Sequence, residues 1–216
     1  MERRIGSGEG NEKINYQKET DQVLASLQER PALLLHSCCG PCSSYVLEYL
    51  SQYFDITVFY YNPNIRPREE FEKRLDNQKK LLSEMRPEGT CPEPVVPRYD
   101  PASFEEIAKG LEDLPEGGER CLKCFRLRLE KTAEYAASHG FRWFCTTLSV
   151  SPHKNAAALN RIGSETAEQY GLNYLPSDFK KRSGYLRSIR LSEQYGLYRQ
   201  HYCGCTPPPE ENPRIP

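Results

Sequence analysis

Seven of the nine cysteines in this chain fall into three groups whose spacing suits metal or redox chemistry. Cys38, Cys39 and Cys42 follow the apolar run Leu33-Leu34-Leu35-His36 and are turned by Gly40-Pro41. Cys121 and Cys124 form a C-x-x-C pair at a helix start, and Cys203 and Cys205 a C-x-C pair near the C-terminus. The other two stand alone. Cys145, inside an apolar run, reads as a small buried hydrophobe. Cys91, before a proline in a loop, reads as a spectator thiol.

Seven thiols are too many for one tetrahedral zinc, which takes four ligands. They also exceed the four thiolates of one iron–sulfur cluster. A division into four and three is the natural one: a cluster, and a separate metal with an open coordination position. Two other readings stand beside it. Cys121, Cys124, Cys203 and Cys205 can make a closed structural zinc site, which leaves the adjacent Cys38 and Cys39 without a purpose. The C-x-x-C can also be a thiol–disulfide centre, since helix N-termini lower thiol pKa, although no thioredoxin-like pattern surrounds it.

The chain has 216 residues, 38% hydrophobic and 27% charged, which fits one domain with a real core. No run approaches the ~18 apolar residues of a membrane span. The polar, Gly-rich start is no signal peptide, so a cytoplasmic protein with reduced thiols and no membrane partner is expected. Nine is odd, so complete internal disulfide pairing is excluded. A net charge of −1 gives no global field for nucleic acid. Residues 176–201 carry a local surplus: Lys180, Lys181, Arg182, Arg187, Arg190 and Arg199 against Asp178 and Glu193.

Strands and helices must position these groups. The chain reads as a disordered tail (1–13), one α/β domain (14–206) and a loose Pro-rich tail (207–216). Strands are expected at Ala32–His36, Ile56–Tyr61, Pro94–Tyr99, Trp143–Leu148 and Asn173–Leu175. Helices are expected at Asn15–Leu27, Cys42–Ser51, Arg68–Met85, Ala102–Leu111 (with Ser103 a cap), from Cys121 to about His139, Ala156–Tyr170 and Tyr185–Tyr195. The alternation predicts a single-domain, largely parallel sheet with flanking helices. In such sheets ligands bind at the carboxyl ends of strands, which is where Cys38 and Cys39 fall.

Five motifs occur in order: His36-x-Cys38-Cys39-Gly40-Pro41-Cys42, Tyr60-Tyr61-Asn62-Pro63-Asn64-Ile65, Arg120-Cys121-x-x-Cys124, Thr146-Thr147-Leu148-x-x-Ser151-Pro152-x-Lys154-Asn155 and Tyr198-Arg199-Gln200-x-Tyr202-Cys203-Gly204-Cys205. Together, over about residues 30 to 206, they closely resemble the cobalamin-independent epoxyqueuosine reductase family (QueH). The resemblance implies a fold like the adenine-nucleotide α-hydrolase group (HUP, Rossmann-like), a [4Fe-4S] cluster, and one additional metal ion, iron or zinc. It implies reductive removal of the epoxide oxygen of epoxyqueuosine at the wobble position of tRNA with GUN anticodons, fed by an external electron donor. In the family a carboxylate can replace the thiol at the position of Cys42.

On this resemblance Cys121, Cys124, Cys203 and Cys205 are expected to hold the cluster, and Cys38, Cys39 and Cys42 the second metal, although adjacent thiolates could bridge both. Tyr202, Tyr198 and His36 are candidate proton donors; the ordinary alternative for each is core packing. Asn62, Asn64, Arg66, Lys154, Asn155 and Arg199 are candidates for reading a single-stranded loop. Lys180, Lys181, Arg182 and Arg187 are candidates for gripping phosphates; a solvated helix face explains them as simply. Two rival functions remain: an ATP-dependent tRNA sulfur transferase on the same scaffold, and a zinc-stabilised RNA-binding module.

Overall fold

The computed structural model describes residues 14–206; the two expected tails, 1–13 and 207–216, lie outside the described residues. The elements are α1 (Tyr16–Ser26), β1 (Ala32–His36), α2 (Gly40–Leu50), β2 (Asp55–Phe59), α3 (Arg68–Met85), α4 (Pro101–Ala108), α5 (Glu119–Ser138), β3 (Trp143–Thr146), α6 (Ala156–Tyr170), β4 (Asn173–Tyr174) and α7 (Gly184–Gln194). The strands form one parallel sheet in the order β2-β1-β3-β4. Parallel neighbours need crossovers long enough for a helix, which is why strands and helices alternate.

β1 is central. Its Leu33, Leu34 and Leu35 are fully buried, so the strand is apolar on both faces and does not alternate. Leu33 and Leu35 pack with Val46, Leu47 and Leu50 of α2 and Leu81 of α3. Leu34 points the other way, to Phe125 and Leu129 of α5 and Leu159 of α6. The sheet is thus covered on both sides, and the carboxyl ends of the strands are the free edge. α3 crosses close behind α2. A Cβ on Gly40 would stand 2.8 Å from the Asn77 carbonyl, so only glycine permits that approach.

Three sequence expectations are corrected. Pro94–Tyr99 is not a strand. It makes one parallel bridge, Val95 to Phe59, with a second bridge at Thr90 to Ile56. Pro92, Pro94 and Pro97 remove the amide donors a ladder needs. The strand at Trp143 ends at Thr146 rather than Leu148, because Thr146 Oγ1 accepts from the Leu148 N–H and starts a 3₁₀ turn, Thr147–Val150. α4 is capped by Asp100, not Ser103, whose hydroxyl donates to Asp100.

Candidate metal centre

The strand order reverses beside β1, which leads to β2 on one side and pairs with β3 on the other. In open α/β sheets the crevice at such a switch point is where ligands bind. His36 and Thr146 are the last paired residues of β1 and β3. The residues just beyond them, Cys38 and Thr147, meet: the Cys38 N–H donates to Thr147 Oγ1 (3.2 Å), and that hydroxyl donates to Cys38 Sγ (3.5 Å).

Cys39 caps α2 and Cys42 lies in its first turn, so all three thiols gather at a helix N-terminus, which favours negative charge. Their sulfurs lie within 4.8 Å of one another, the only group of three or more such donor atoms this close among the described residues. Cys38 Sγ and Cys39 Sγ are 3.8 Å apart. A tetrahedral ion with metal–sulfur bonds near 2.3 Å sets its ligands about 3.8 Å apart, so the pair has the spacing of two ligands of one ion. Gln200 Nε2 donates to Cys39 Sγ across 3.1 Å. Hydrogen bonds from Cys39 and Cys42 hold the Cys38 thiol well below the usual range, and the Arg128 charge adds to this. Cys39 is pushed up to about 12 by the bond it gives to Cys38, and Cys42 rises for the same reason. Of the three, Cys38 is the thiol that gives up its proton most readily.

The second thiol group is assembled from two chain ends. Cys121 and Cys124 lie in the first turns of α5; the Gly117 N–H donates to Cys121 Sγ (3.2 Å). Cys203 and Cys205 arrive on the strap after α7. All four line one small cavity of about 10 Å³ with Arg128 and Lys154. The Lys154 ammonium reaches Cys203 Sγ (3.5 Å) and pairs with Glu116. Cys203 is lowered to about 5, first by the hydrogen bond from Cys205 and then by Lys154 and Arg128. Burial pushes Cys124 up to about 11.

A larger cavity of about 370 Å³ opens on both groups. Cys38, Cys42, Asn64, Arg74, Arg128, Lys154, Arg199, Gln200, Tyr202 and Cys203 line it. Arg128, Lys154 and Cys203 line both cavities and form the wall between them. All nine cysteines are free thiols; Cys145 is buried and Cys91 exposed, as their settings imply.

The other candidates divide. Tyr202 lines the large cavity; Tyr198 does not, and its hydroxyl donates to Glu70. His36 does not line the cavity. It is fully buried, Nδ1 contacts Thr146 Oγ1 (2.9 Å), Nε2 accepts from Arg128 Nε (3.2 Å), and burial followed by the Arg128 charge lowers it to about 3. Asn62 is buried, donating to the Ser37 carbonyl (2.9 Å) and accepting from Arg128. Asn64 is buried with its Oδ1 unpartnered. Asn155 is exposed and caps α6 by accepting from the Ala158 N–H. Arg66 binds the Cys205 carbonyl (3.1 Å) and Glu105.

In the basic stretch, Lys180 pairs with Asp178, Arg182 with Asp21 and Arg187 with Glu48. Arg199 donates to Ser192 Oγ and lies over the Tyr185 ring. The local positive field is therefore smaller than the linear count implies.

Sequence reasoning passed over Arg128. Its signal was available: Arg128 shares the buried face of α5 with Cys121 and Cys124 at helical spacing, and a charge on such a face needs a reason.

A parallel α/β scaffold with three thiols clustered at the end of β1 and four more gathered beside them is that of an enzyme whose cysteines could hold metal on thiolate ligands. The family described as "Epoxyqueuosine reductase QueH" matches residues 33–208. The chain is 43% identical over 199 residues to a protein of that name from Streptococcus pyogenes serotype M1, covering 90% of this chain and 78% of the relative. It is 43% identical over 201 residues to the Staphylococcus epidermidis protein (90% and 84% covered) and 37% identical over 179 residues to that of Thermotoga maritima (80% and 88%). The chain belongs to the epoxyqueuosine reductase QueH family.

Proposed function

We propose that this protein is an epoxyqueuosine reductase, an oxidoreductase of queuosine biosynthesis that acts on the modified base within tRNA. Two electrons and two protons enter, both epoxide C–O bonds break, a carbon–carbon double bond forms, and the oxygen leaves as water. The observation that carries this reading is the meeting of two thiol groups at one wall of the 370 Å³ cavity. The sulfur-transferase alternative is not favoured: the place of a phosphate-cradling loop is taken by Cys38-Cys39-Gly40-Pro41, and the Cys38 amide is spent on Thr147.

Cys38, Cys39 and Cys42 are assigned to a single ion, whose ligand spacing they match. Cys121, Cys124, Cys203 and Cys205 are more widely set and are assigned to a [4Fe-4S] cluster. When bound, the cluster supplies electrons singly and the lone metal acts as a Lewis acid toward the epoxide oxygen. The residues provide the surroundings. Arg128 and Lys154 balance thiolate charge in a region where unpaired charge is costly. Tyr202 lines the cavity and keeps its proton, because burial and then the Glu70 charge raise it, so it is the assigned proton donor.

The cavity is at the small end of ligand pockets, about 300–1,000 Å³. It admits one modified base rather than a loop, so the nucleotide is drawn out of its stack. Arg199, Asn64 and Lys154 are assigned to that base, and Asn155 and Lys181 to the flanking RNA. Lys180, Arg182 and Arg187 can exchange their surface ion pairs for phosphate at little cost, since such pairs contribute about 0–1 kcal/mol. The strand order, with Val95 bridging the outer edge of β2, supports the adenine-nucleotide α-hydrolase-like reading. An external electron donor is assigned as the source of the two electrons; no described helix is long and apolar enough to cross a membrane.

The test is direct. Anaerobically reconstituted protein with a chemical reductant is incubated with tRNA carrying epoxyqueuosine, and the digested nucleosides are weighed. Loss of one oxygen mass at the modified base supports the reading; an unchanged nucleoside with metal-loaded protein contradicts it.

A further inference from the structure

Two of the four thiols in the second group come from a strap, residues 195–206, that contains no helix or strand. Such a segment has no ladder of its own to fix two sulfurs. Arg66 binds the Gly204 and Cys205 carbonyls at the far end of the strap, and one face of α3 holds the rest. Glu70, Arg74 and Asn77 recur at helical spacing, with Lys80 one turn further on. Lys80 Nζ donates to the Gly196 carbonyl (3.0 Å), and Asn77 Oδ1 accepts from the Tyr198 N–H (2.7 Å). Arg74 donates to the Cys203 carbonyl (3.0 Å) and the Tyr202 carbonyl (3.3 Å). Glu70 in turn accepts from Arg74 Nε (2.6 Å) and from the Tyr198 hydroxyl. Four contacts run in order along the helix and along the strap, so register is set at every turn.

Arg74 is the centre of this seam. Its side chain is 3% exposed and that of Glu70 9%, so the pair is desolvated and its geometry is fixed. The guanidinium fills the space beside Gly204. That residue has φ +93°, and a Cβ there would lie 3.2 Å from Arg74. The tight turn between Cys203 and Cys205 is therefore built around the arginine. A lysine, with one point donor in place of a planar fork, cannot reach Glu70 and two carbonyls together.

We propose that Arg74, braced by Glu70, is a positioning residue that presents Cys203 and Cys205 to Cys121 and Cys124. That the four thiols serve one centre is the reading given above; the clamp itself rests on the contacts just described.

The experiment separates the two. Metal-free full-length protein is pulse-alkylated with iodoacetamide and each cysteine is followed by mass spectrometry, beside amide exchange over residues 196–205. The variants are R74K, N77A and the double variant E70Q/R74Q, which leaves no unpaired buried charge. Circular dichroism and the thermal midpoint select the variants that stay folded. Alkylation of Cys203 and Cys205 is expected to rise by at least about tenfold in E70Q/R74Q, as removal of a buried pair frees the strap to open locally. N77A and R74K should give smaller rises, while Cys145, buried in the core away from the strap, stays at the wild-type rate. Unchanged rates and unchanged exchange in folded E70Q/R74Q overturn the clamp. The reading of the four thiols as one centre fails separately, if wild-type protein takes up no iron and sulfide.

Discussion

Arg128 Nε donates to His36 Nε2 across 3.2 Å, beneath the cavity floor and out of contact with solvent. The same Nε2 lies 3.1 Å from the Tyr61 carbonyl, so the ring is gripped from both α5 and the segment just past the end of β2. Nδ1 meets Thr146 Oγ1 across 2.9 Å, at the end of β3. The same guanidinium binds Asn62, and Asn62 holds the Ser37 carbonyl just before Cys38. One buried cation thus ties β1, the loop after β2, and α5 into a single frame around the thiols.

Replacing Arg128 by glutamine should therefore do more than remove a charge. It leaves the buried Asn62 side-chain oxygen without its donor, a cost of about 1–3 kcal/mol. Urea unfolding of metal-free protein measures this, and a loss under about 0.5 kcal/mol, within the scatter of surface substitutions, contradicts the frame.

The two tyrosines beside the C-terminal cysteines should behave differently. Tyr202 lines the cavity, whereas Tyr198 is turned to Glu70. Tyr202→Phe is expected to lower kcat about a hundredfold with iron and sulfide content unchanged. Tyr198→Phe should change kcat by less than about threefold, since it loses only one hydrogen bond to the clamp. Equal effects from the two substitutions would remove Tyr202 from proton transfer.

Cys145 gives a pH signature. Burial pushes its thiol up to about 12, against about 9 when unfolded. A raised acid contributes stability that is complete below the unfolded value and is lost as pH rises toward the folded one. Between pH 9 and 12 the loss is about 1.4 kcal/mol per unit. Cys145→Ala should flatten urea stability over that window relative to wild type, although it is less stable at pH 7. Parallel alkaline slopes for the two proteins contradict this.

RNA affinity should report the cavity before the outer patch. Arg199 lines the cavity; Arg187 is held bidentate by Glu48. Arg199→Glu should weaken tRNA binding at moderate salt by at least about tenfold, and Arg187→Glu by less. If the outer patch does grip phosphate, Arg187→Glu reduces the salt slope by about one unit. Binding unaffected by Arg199→Glu would detach that residue from the RNA.

Much of this site could be read along the chain because thiols carry their chemistry in their type. The grouping of Cys38, Cys39 and Cys42 follows from local spacing on one helix start, and the burial of Cys145 from its apolar neighbours. The sheet was legible for the same reason: Leu33–Leu35 is an apolar run in a central strand. What failed was non-local. Pro94–Tyr99 has strand-like residues, but its prolines leave too few donors for pairing. His36 and Asn62 look like site residues in sequence, yet both face Arg128, more than sixty residues further along the chain. Arg74 and Glu70 resemble any charged pair on a long helix. Only the returning strap, more than a hundred residues later, shows that they are buried.

The central claim is that seven cysteines make two inorganic centres side by side. The decisive measurement is iron and acid-labile sulfide per chain in anaerobically reconstituted wild type, Cys121→Ala/Cys124→Ala and Cys38→Ala/Cys39→Ala. Wild type should hold more than about four irons with about four sulfides. The first double variant should lose the sulfide, and the second should keep it while losing the extra metal. A wild-type protein that saturates with one zinc and no sulfide contradicts the account.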